Sequence, residues 1–236
     1  MNKKKFTFLI LVFPTFLYSE PMIFGGNNLG SDQMVLEIEN SNAKYYFDGE
    51  GDGCEGFNAK SSQNGDNFIF TNVKSNCNEK KLNDFQCLNE KDDKSLFFTN
   101  YLKCDNKLIL YNKNKAVEEN LNRNYNGFDV ITLGLKNGIA TSNLKLREKP
   151  DSQSRTFTCY FTHIDDDKVR EKDINFIPKN VQLTIIAKTL NDFTVGGKTN
   201  FWYLVFPSSD SYNGCLLKNS KQKEGWVFGE YIKFDK

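Results

Sequence analysis

The sequence predicts an all-β protein of two domains, of which the amino-terminal one suits a small β-sandwich or barrel. From residue 34 onward the apolar residues fall in short runs separated by Gly, Asn, Asp and Ser, which is typical of strands and turns. No long stretch repeats apolar residues at the helical spacing. The six cysteines fall into a group of four and a group of two, one in each half.

The composition indicates a folded chain whose partner is not a nucleic acid. Hydrophobic residues make up 39% of the 236 residues, and the formal net charge is +1. A disordered chain combines low hydrophobicity with a high net charge, and a nucleic-acid-binding domain carries a clear excess of Lys and Arg. The length fits one large or two small domains.

Residues 1–19 predict a secretory signal peptide. Lysines at positions 3–5 precede an apolar run over residues 6–18, and Ser19 follows. The run is shorter than the about 20 apolar residues that span a membrane, and it contains Pro14. We therefore expect cleavage near Ser19, export to the periplasm or out of the cell, and no stable membrane insertion of the mature chain.

Export favours disulfide bonds, because thiols are usually oxidised outside the cytoplasm. The first group of cysteines is Cys54, Cys77, Cys87 and Cys104, and the second is Cys159 and Cys215. If bonds form within each group, Cys159 pairs with Cys215 and the first four pair in one of three ways. Zinc is the rival interpretation, but no Cys-x-x-Cys occurs and His163 is the only histidine, so no metal site is predicted.

Residues 20–111 form the predicted amino-terminal domain. Its candidate strands are residues 34–38, 44–47, 67–73, 96–102 and 107–111. Asn40, Ser41 and Asn42 predict a hairpin turn between the first two strands, and Asp105 with Asn106 predicts another between the last two.

Residues 112–127 form the predicted linker, because they are polar and lie between the two groups of cysteines. The second predicted domain covers residues 128–236. Its candidate strands are residues 128–133, 139–141, 144–146, 181–187, 202–206 and 225–228.

Three segments of the second domain carry a more specific signal. They are residues 140–150 (ATSNLKLREKP), 201–205 (FWYLV) and 224–232 (EGWVFGEYI). In their order, and in the spacing of the last two, they resemble the signature segments of the bacterial SH3-like (SH3b) domain family. Gly225 before Trp226 fits a close approach of the last hairpin to a barrel.

The resemblance implies a small β-barrel that binds rather than catalyses. In exported bacterial proteins the family is similar to modules that attach to cell-wall peptidoglycan or mediate protein contacts. Trp202, Tyr203, Trp226 and Tyr231 match motif aromatics that would line a binding groove. The alternative is that Trp202 and Trp226 are core residues, because large aromatic side chains are mostly buried.

The domain departs from the family pattern at two insertions. Residues 154–176 contain Cys159 and His163, and residues 208–224 contain Cys215. A bond between the two cysteines would pin one long loop to the other, and loops of this kind often shape binding surfaces.

The sequence predicts no enzyme activity and no cofactor. Residues 20–135 contain no histidine, so a Cys/His or Ser/His/Asp site would need His163 from the other domain, and no Gly-x-Ser-x-Gly occurs. Residues 48–53 (DGEGDG) suit the start of an EF-hand calcium loop, but Ala59 stands where the loop requires a bidentate Glu.

These observations favour an exported, non-enzymatic binding protein whose carboxy-terminal domain binds cell-wall glycopeptide or a protein partner. Two alternatives remain open at this point. One is a secreted inhibitor or host-interaction protein that uses the pinned loops, and the other is a small cell-wall hydrolase that uses a pair of carboxylates.

Overall fold

The computed structural model describes residues 20–26, 29, 34–47, 56–165, 168–207, 214–216 and 224–235. Over these residues the protein is all-β, as the sequence predicts, with nineteen strands, no α-helix and one short 3-10 helix. None of the helical structure in these ranges is long and apolar enough to cross a bilayer. The predicted signal peptide and residues 48–53 lie outside the described residues.

The first part of the chain closes into a barrel of eight antiparallel strands in simple up-and-down order. The strands are β1 (Met22–Gly25), β2 (Met34–Glu39), β3 (Asn42–Phe47), β4 (Gly56–Asn64), β5 (Asn67–Ser75), β6 (Phe85–Lys91), β7 (Asn100–Cys104) and β8 (Ile109–Asn112). Pairing of Phe24 with Asn112 and of Gly25 with Tyr111 joins β1 to β8 and closes the barrel. Closure leaves no free sheet edge in this unit.

Aromatic side chains fill the barrel. Phe68 and Phe70 alternate with outward residues on β5, and Phe70 stacks on Phe85 at 4.7 Å between ring centroids. The alternation shifts at Asn72, which has a φ of 54° and lies near a break in the β4–β5 register, so that Val73 is also buried. The interior is therefore a packed core rather than a ligand cavity.

Two hairpin turns form where the sequence predicts them. Asn40 and Ser41 both have positive φ (45° and 65°) between the paired residues Glu39 and Asn42, which is the two-residue turn that matches the twist of antiparallel strands. The second turn follows Cys104, whose carbonyl accepts the Lys107 amide at 3.0 Å.

The rest of the chain forms three further sheets. The strands are β9 (Glu119–Tyr125), β10 (Phe128–Ala140), β11 (Thr158–Asp165), β12 (Lys168–Ile174), β13 (Gln182–Thr189), β14 (Phe193–Val195), β15 (Lys198–Asn200), β16 (Trp202–Pro207), β17 (Gly214–Leu216), β18 (Gly225–Phe228) and β19 (Ile232–Phe234). The largest sheet has the order β18-β16-β13-β10-β19, with β9 also paired to β10. The 3-10 helix Gly229–Tyr231 connects β18 to β19, so the last strand returns to lie beside β10.

The two predicted insertions pair with each other. Strands β11 and β12 form a hairpin within the first insertion, and β17 of the second insertion adds to its edge. In this small sheet Cys159 lies directly opposite Cys215. Cys159 is disulfide-bonded, and its backbone pairs with that of Cys215, the partner that the sequence predicts.

The structure also selects among the three pairings of the first group of cysteines. Cys87 and Cys104 lie opposite each other on β6 and β7 and form a disulfide bond. Cys77 is disulfide-bonded as well. The Asn76 amide donates to the Gly56 carbonyl at 3.2 Å, and Cys54 lies outside the described residues.

Three sequence predictions differ from the structure. Residues 96–99 of the candidate strand 96–102 form a loop, and only Asn100–Cys104 is a strand. The candidate linker 112–127 contains β9, which pairs with β10 along its length. The candidate strand 144–146 makes only isolated bridges at its ends, through Leu144 with Ile177 and Arg147 with Trp226.

A third hydrophobic cluster, the shared core, contains residues of both the barrel and the six-stranded sheet. The loop between β6 and β7 carries Leu96, Phe97 and Phe98, which are buried together with the inner face of the sheet. The Asp92 carboxylate accepts the Ser95 amide at 3.0 Å, and the Ser95 hydroxyl accepts the Phe97 amide at 3.1 Å. The sequence predicts a strand here because the run is apolar. The run is buried against the six-stranded sheet, however, and does not pair with a neighbouring strand.

Candidate functional site

The four aromatic residues that the sequence assigns to a groove do not lie on one face. Successive residues of a strand point to opposite sides of a sheet. Trp202 and Trp226 belong to the core shared with the barrel, whereas the ring of Tyr203 packs on the opposite core. Tyr231 lies apart from them in the 3-10 helix.

Trp202 and Trp226 are core residues in this structure. They are 2% and 0% exposed, and neither ring is accessible to a ligand. Trp202 contacts Phe228 edge-on at 5.5 Å, and Trp226 contacts Phe128 edge-on at 6.1 Å. The indole nitrogen of Trp226 is buried without a hydrogen-bond partner among the described residues.

Tyr203 and Tyr231 remain partly accessible. The Tyr203 ring packs edge-on against Phe234 at 5.4 Å, and burial raises the pKa of its hydroxyl. Tyr231 is 38% exposed, with the Lys198 ammonium 5.3 Å from its ring centre. Lys198 also donates to Glu230 at 2.6 Å, which raises the pKa of the lysine.

The larger of the two surface clefts described here lies between the barrel and the six-stranded sheet. It has a volume of about 680 Å³. The β6–β7 loop of the barrel supplies one wall, and the β9–β10 hairpin with the end of β13 supplies the other. Its lining residues are Asp93, Lys94, Asn122, Arg123, Asn124, Asp129, Val130 and Leu190.

Several polar side chains in or near the cleft already hydrogen-bond within the protein and are not free to bind a ligand. Asn124 donates to the Asp129 carboxylate at 3.0 Å and accepts the Gly127 amide at 3.1 Å, so both side chains serve the β9–β10 turn. Asp92, just outside the cleft, accepts the Tyr111 hydroxyl at 3.0 Å. Burial, and next this hydrogen bond, raises the pKa of Tyr111 to about 12.

Arg123 is the cleft residue with a buried donor that has no partner among the described residues. Nη1 donates to the carbonyl of Asn122 at 3.2 Å, while Nε is buried with no partner among the described residues. Alternation along β9 places Arg123 on the same face as Leu121 and Tyr125. The Tyr125 hydroxyl donates to Glu224 at 2.9 Å, and burial followed by the Glu224 charge raises the pKa of this tyrosine.

A second cleft of about 410 Å³ lies at one end of the barrel. Met22, Ile38 and Phe68 form its floor, and the β2–β3 turn with Ser61, Ser62 and Gln63 forms its rim. No charged side chain other than Glu20 lines it. It offers mainly van der Waals contact.

Sequence reasoning missed the cleft because residues 122–124 fall in the stretch interpreted as a linker and most of the other lining residues are distant from them in sequence. Lys94, Asn122 and Arg123 carry no motif, and only the fold brings them together. Among the described residues, no group of three His, Cys, Asp or Glu side chains could hold a metal ion. The side chain of His163 lies outside the described residues.

Comparisons with known proteins do not assign the site. No protein-family model, no curated protein and no solved structure matches this chain.

Proposed function

We propose that this chain is an exported, non-enzymatic binding protein, that its carboxy-terminal unit is an SH3-like domain, and that its ligand is cell-wall glycopeptide. The observation that carries the proposal is the cleft between the barrel and the six-stranded sheet. Its lining combines amide, guanidinium, ammonium and carboxylate groups with one exposed leucine, Leu190. Pockets of this kind hold polar ligands through a few placed groups.

Two further features support the proposal. The disulfide bonds at Cys77, Cys87, Cys104 and Cys159 suit an oxidising compartment such as the periplasm or the cell exterior. The three segments that carry the SH3-like resemblance also lie next to one another, because β16 pairs with β18 and Arg147 bridges Trp226.

The test is co-sedimentation of the mature chain with purified peptidoglycan sacculi at low and moderate salt. The whole chain is needed, because residues 128–236 alone would expose the face that packs on Leu96, Phe97 and Phe98. We expect sedimentation in both salts. A chain that stays in the supernatant in both would overturn the wall assignment and leave a protein as the ligand class to test.

Two matched leucine variants locate the binding surface. Leu190 lines the cleft and Leu82 lies on the barrel, and both are partly exposed (46% and 38%). Leu190→Ala is expected to reduce sedimentation and Leu82→Ala to leave it unchanged. Tyr231→Ala tests the exposed aromatic face, and a loss confined to this variant would move the binding surface there.

A further inference from the structure

We infer that Arg123 is the anchor for a peptide carboxylate in the cleft between the barrel and the six-stranded sheet. This inference rests on the binding function proposed above and names the chemical group that the cleft recognises. It comes from the hydrogen-bond inventory of the cleft rather than from any sequence motif.

The first step is the state of the guanidinium. Arginine carries five N–H donors in a planar fork, and it stays protonated in proteins. In this structure the Arg123 fork makes one hydrogen bond, from Nη1 to a backbone carbonyl, and it has no ion pair with a described residue. Nε itself is buried, so a ligand pairs with the terminal nitrogens, which keep donors that no described residue accepts.

The second step is that the nearest acid in the hairpin is already occupied. Asp129 accepts the side-chain amide of Asn124 within the β9–β10 turn. The register pairs Asn124 with Asp129 and pairs Arg123 with Val130. Residues that are directly paired across two strands share a face, so Arg123 and Asp129 lie on opposite faces of the hairpin.

The third step is the kind of ligand that Arg123 and the cleft residues around it would bind. A carboxylate matches the guanidinium fork through two parallel hydrogen bonds. Asn122 points to the other face of β9 and is not part of this arrangement. Leu190 provides apolar contact on the same cleft wall, and Asp93 provides a negative charge. A peptide with a free carboxyl end, a small apolar last residue and a cation nearby satisfies Arg123, Leu190 and Asp93.

The probe is N-acetyl-Lys-Ala-Ala with a free carboxyl end, and its control is the same peptide with a carboxamide end. Binding to the mature chain is measured by titration calorimetry. We expect the carboxamide to bind about 10- to 100-fold more weakly, because hydrogen bonds to a charged acceptor are worth about 1.5–3 kcal/mol. Equal binding of the two peptides, or no binding of either, would overturn the inference.

Arg123→Gln should weaken binding of the peptide with the free carboxyl end by a similar factor. The variant should then bind this peptide and the carboxamide peptide equally. Arg123→Lys keeps the charge but loses the fork, and it should recover only part of the affinity. Arg155→Gln is the matched control, because Arg155 pairs with Glu148 on the exposed surface and its loss changes net charge equally. A loss of affinity that is equal in Arg155→Gln and Arg123→Gln contradicts the anchor role. If Arg123→Gln fails to fold, Arg123→Lys and the two peptides still decide.

Two further comparisons identify where the carboxylate comes from and distinguish failure of the wall proposal from failure of the Arg123 proposal. Peptides ending in two D-alanines represent wall stems, and peptides ending in two L-alanines represent protein ends. If sacculi bind the wild type and Arg123→Gln equally, the wall proposal holds and the carboxylate anchor is wrong. If the peptides bind through Arg123 and sacculi do not bind, the anchor holds and the wall proposal is wrong.

Discussion

Gly229, at the start of the 3-10 helix, should not tolerate even a methyl group. A Cβ added there would lie 2.3 Å from Cε2 of Tyr203 and 2.8 Å from the Asn200 side-chain oxygen. Ordinary contacts between carbon atoms are about 3.5–4.0 Å, so the Tyr203 ring would have to move by more than an ångström. That ring is held against Phe234 in an edge-on contact.

Overpacking of this kind typically costs about 1–3 kcal/mol. For a chain of this size each kcal/mol lowers the unfolding midpoint temperature by roughly 2–4 °C. We therefore expect Gly229→Ala to lower the free energy of unfolding by about 1–3 kcal/mol. The assay is urea unfolding, in which the midpoint should fall while the slope stays constant.

A double-mutant cycle identifies the clash. Tyr203→Ala removes the ring that Gly229→Ala would strike, so the cost of the glycine substitution should shrink in that background. Gly65→Ala is the comparison for backbone strain without a clash, because its φ is +60° and no atom lies within 4 Å of the position where its Cβ would be. An equal cost of Gly229→Ala in both backgrounds would refute the steric explanation.

Three further predictions concern stability. Phe98→Ala should cost about 3–5 kcal/mol in urea unfolding, because its ring is buried in the shared core, whereas the exposed Leu82→Ala should change little. Replacing both Cys87 and Cys104 by alanine should cost about 3 kcal/mol by the loop-entropy estimate, measured by urea unfolding without reductant so that the bonds at Cys77 and Cys159 stay intact. The raised pKa of Tyr111, about 12, means that the unfolded chain loses this proton at lower pH than the folded chain. The contribution of Tyr111 to the free energy of unfolding is therefore complete below about pH 10 and declines as the pH rises toward 12. The alkaline unfolding curve of Tyr111→Phe should lack this decline. An identical curve for that variant would contradict the assignment.

Hairpins with alternating apolar residues could be predicted from the sequence. Residues 34–47 alternate on both sides of Asn40 and Ser41, and the structure has the strands and the turn there. The close approach at Gly225 was also predicted, and a Cβ there would lie 2.8 Å from Leu146 and 2.9 Å from the Arg147 carbonyl. The hairpin follows from local residues, whereas the prediction at Gly225 came from its motif, because the residues that it approaches are distant in sequence.

Barrel closure and the shared core could not be predicted in the same way. β1 has only four residues, and its partner β8 is distant in sequence, so no local pattern signals their pairing. β4 has only two buried residues, Phe57 and Ser61, and its polar sequence hides a strand that two neighbours hold in place. Tertiary context decides such elements.

The predicted linker shows how a polar composition can conceal a strand. Leu121, Arg123 and Tyr125 alternate with asparagines, and Asn126 with Gly127 then forms a turn in which both residues have positive φ (50° and 89°). Asn-Gly between alternating residues is a strong hairpin signal. The Asn126-Gly127 dipeptide therefore predicts β9 better than the overall polarity of the segment does. The same alternation places Arg123 on the inner face of an edge strand.

The position of β9 determines how the two units form the cleft. This strand is both the connection from the barrel and an edge of the six-stranded sheet, and it carries Arg123 into the cleft. The opposite wall is the β6–β7 loop, which is held in place because Leu96, Phe97 and Phe98 are buried against the same sheet. The cleft therefore exists only while both units are packed together, so variants that loosen the shared core, such as Phe98→Ala, should weaken ligand binding as well as stability.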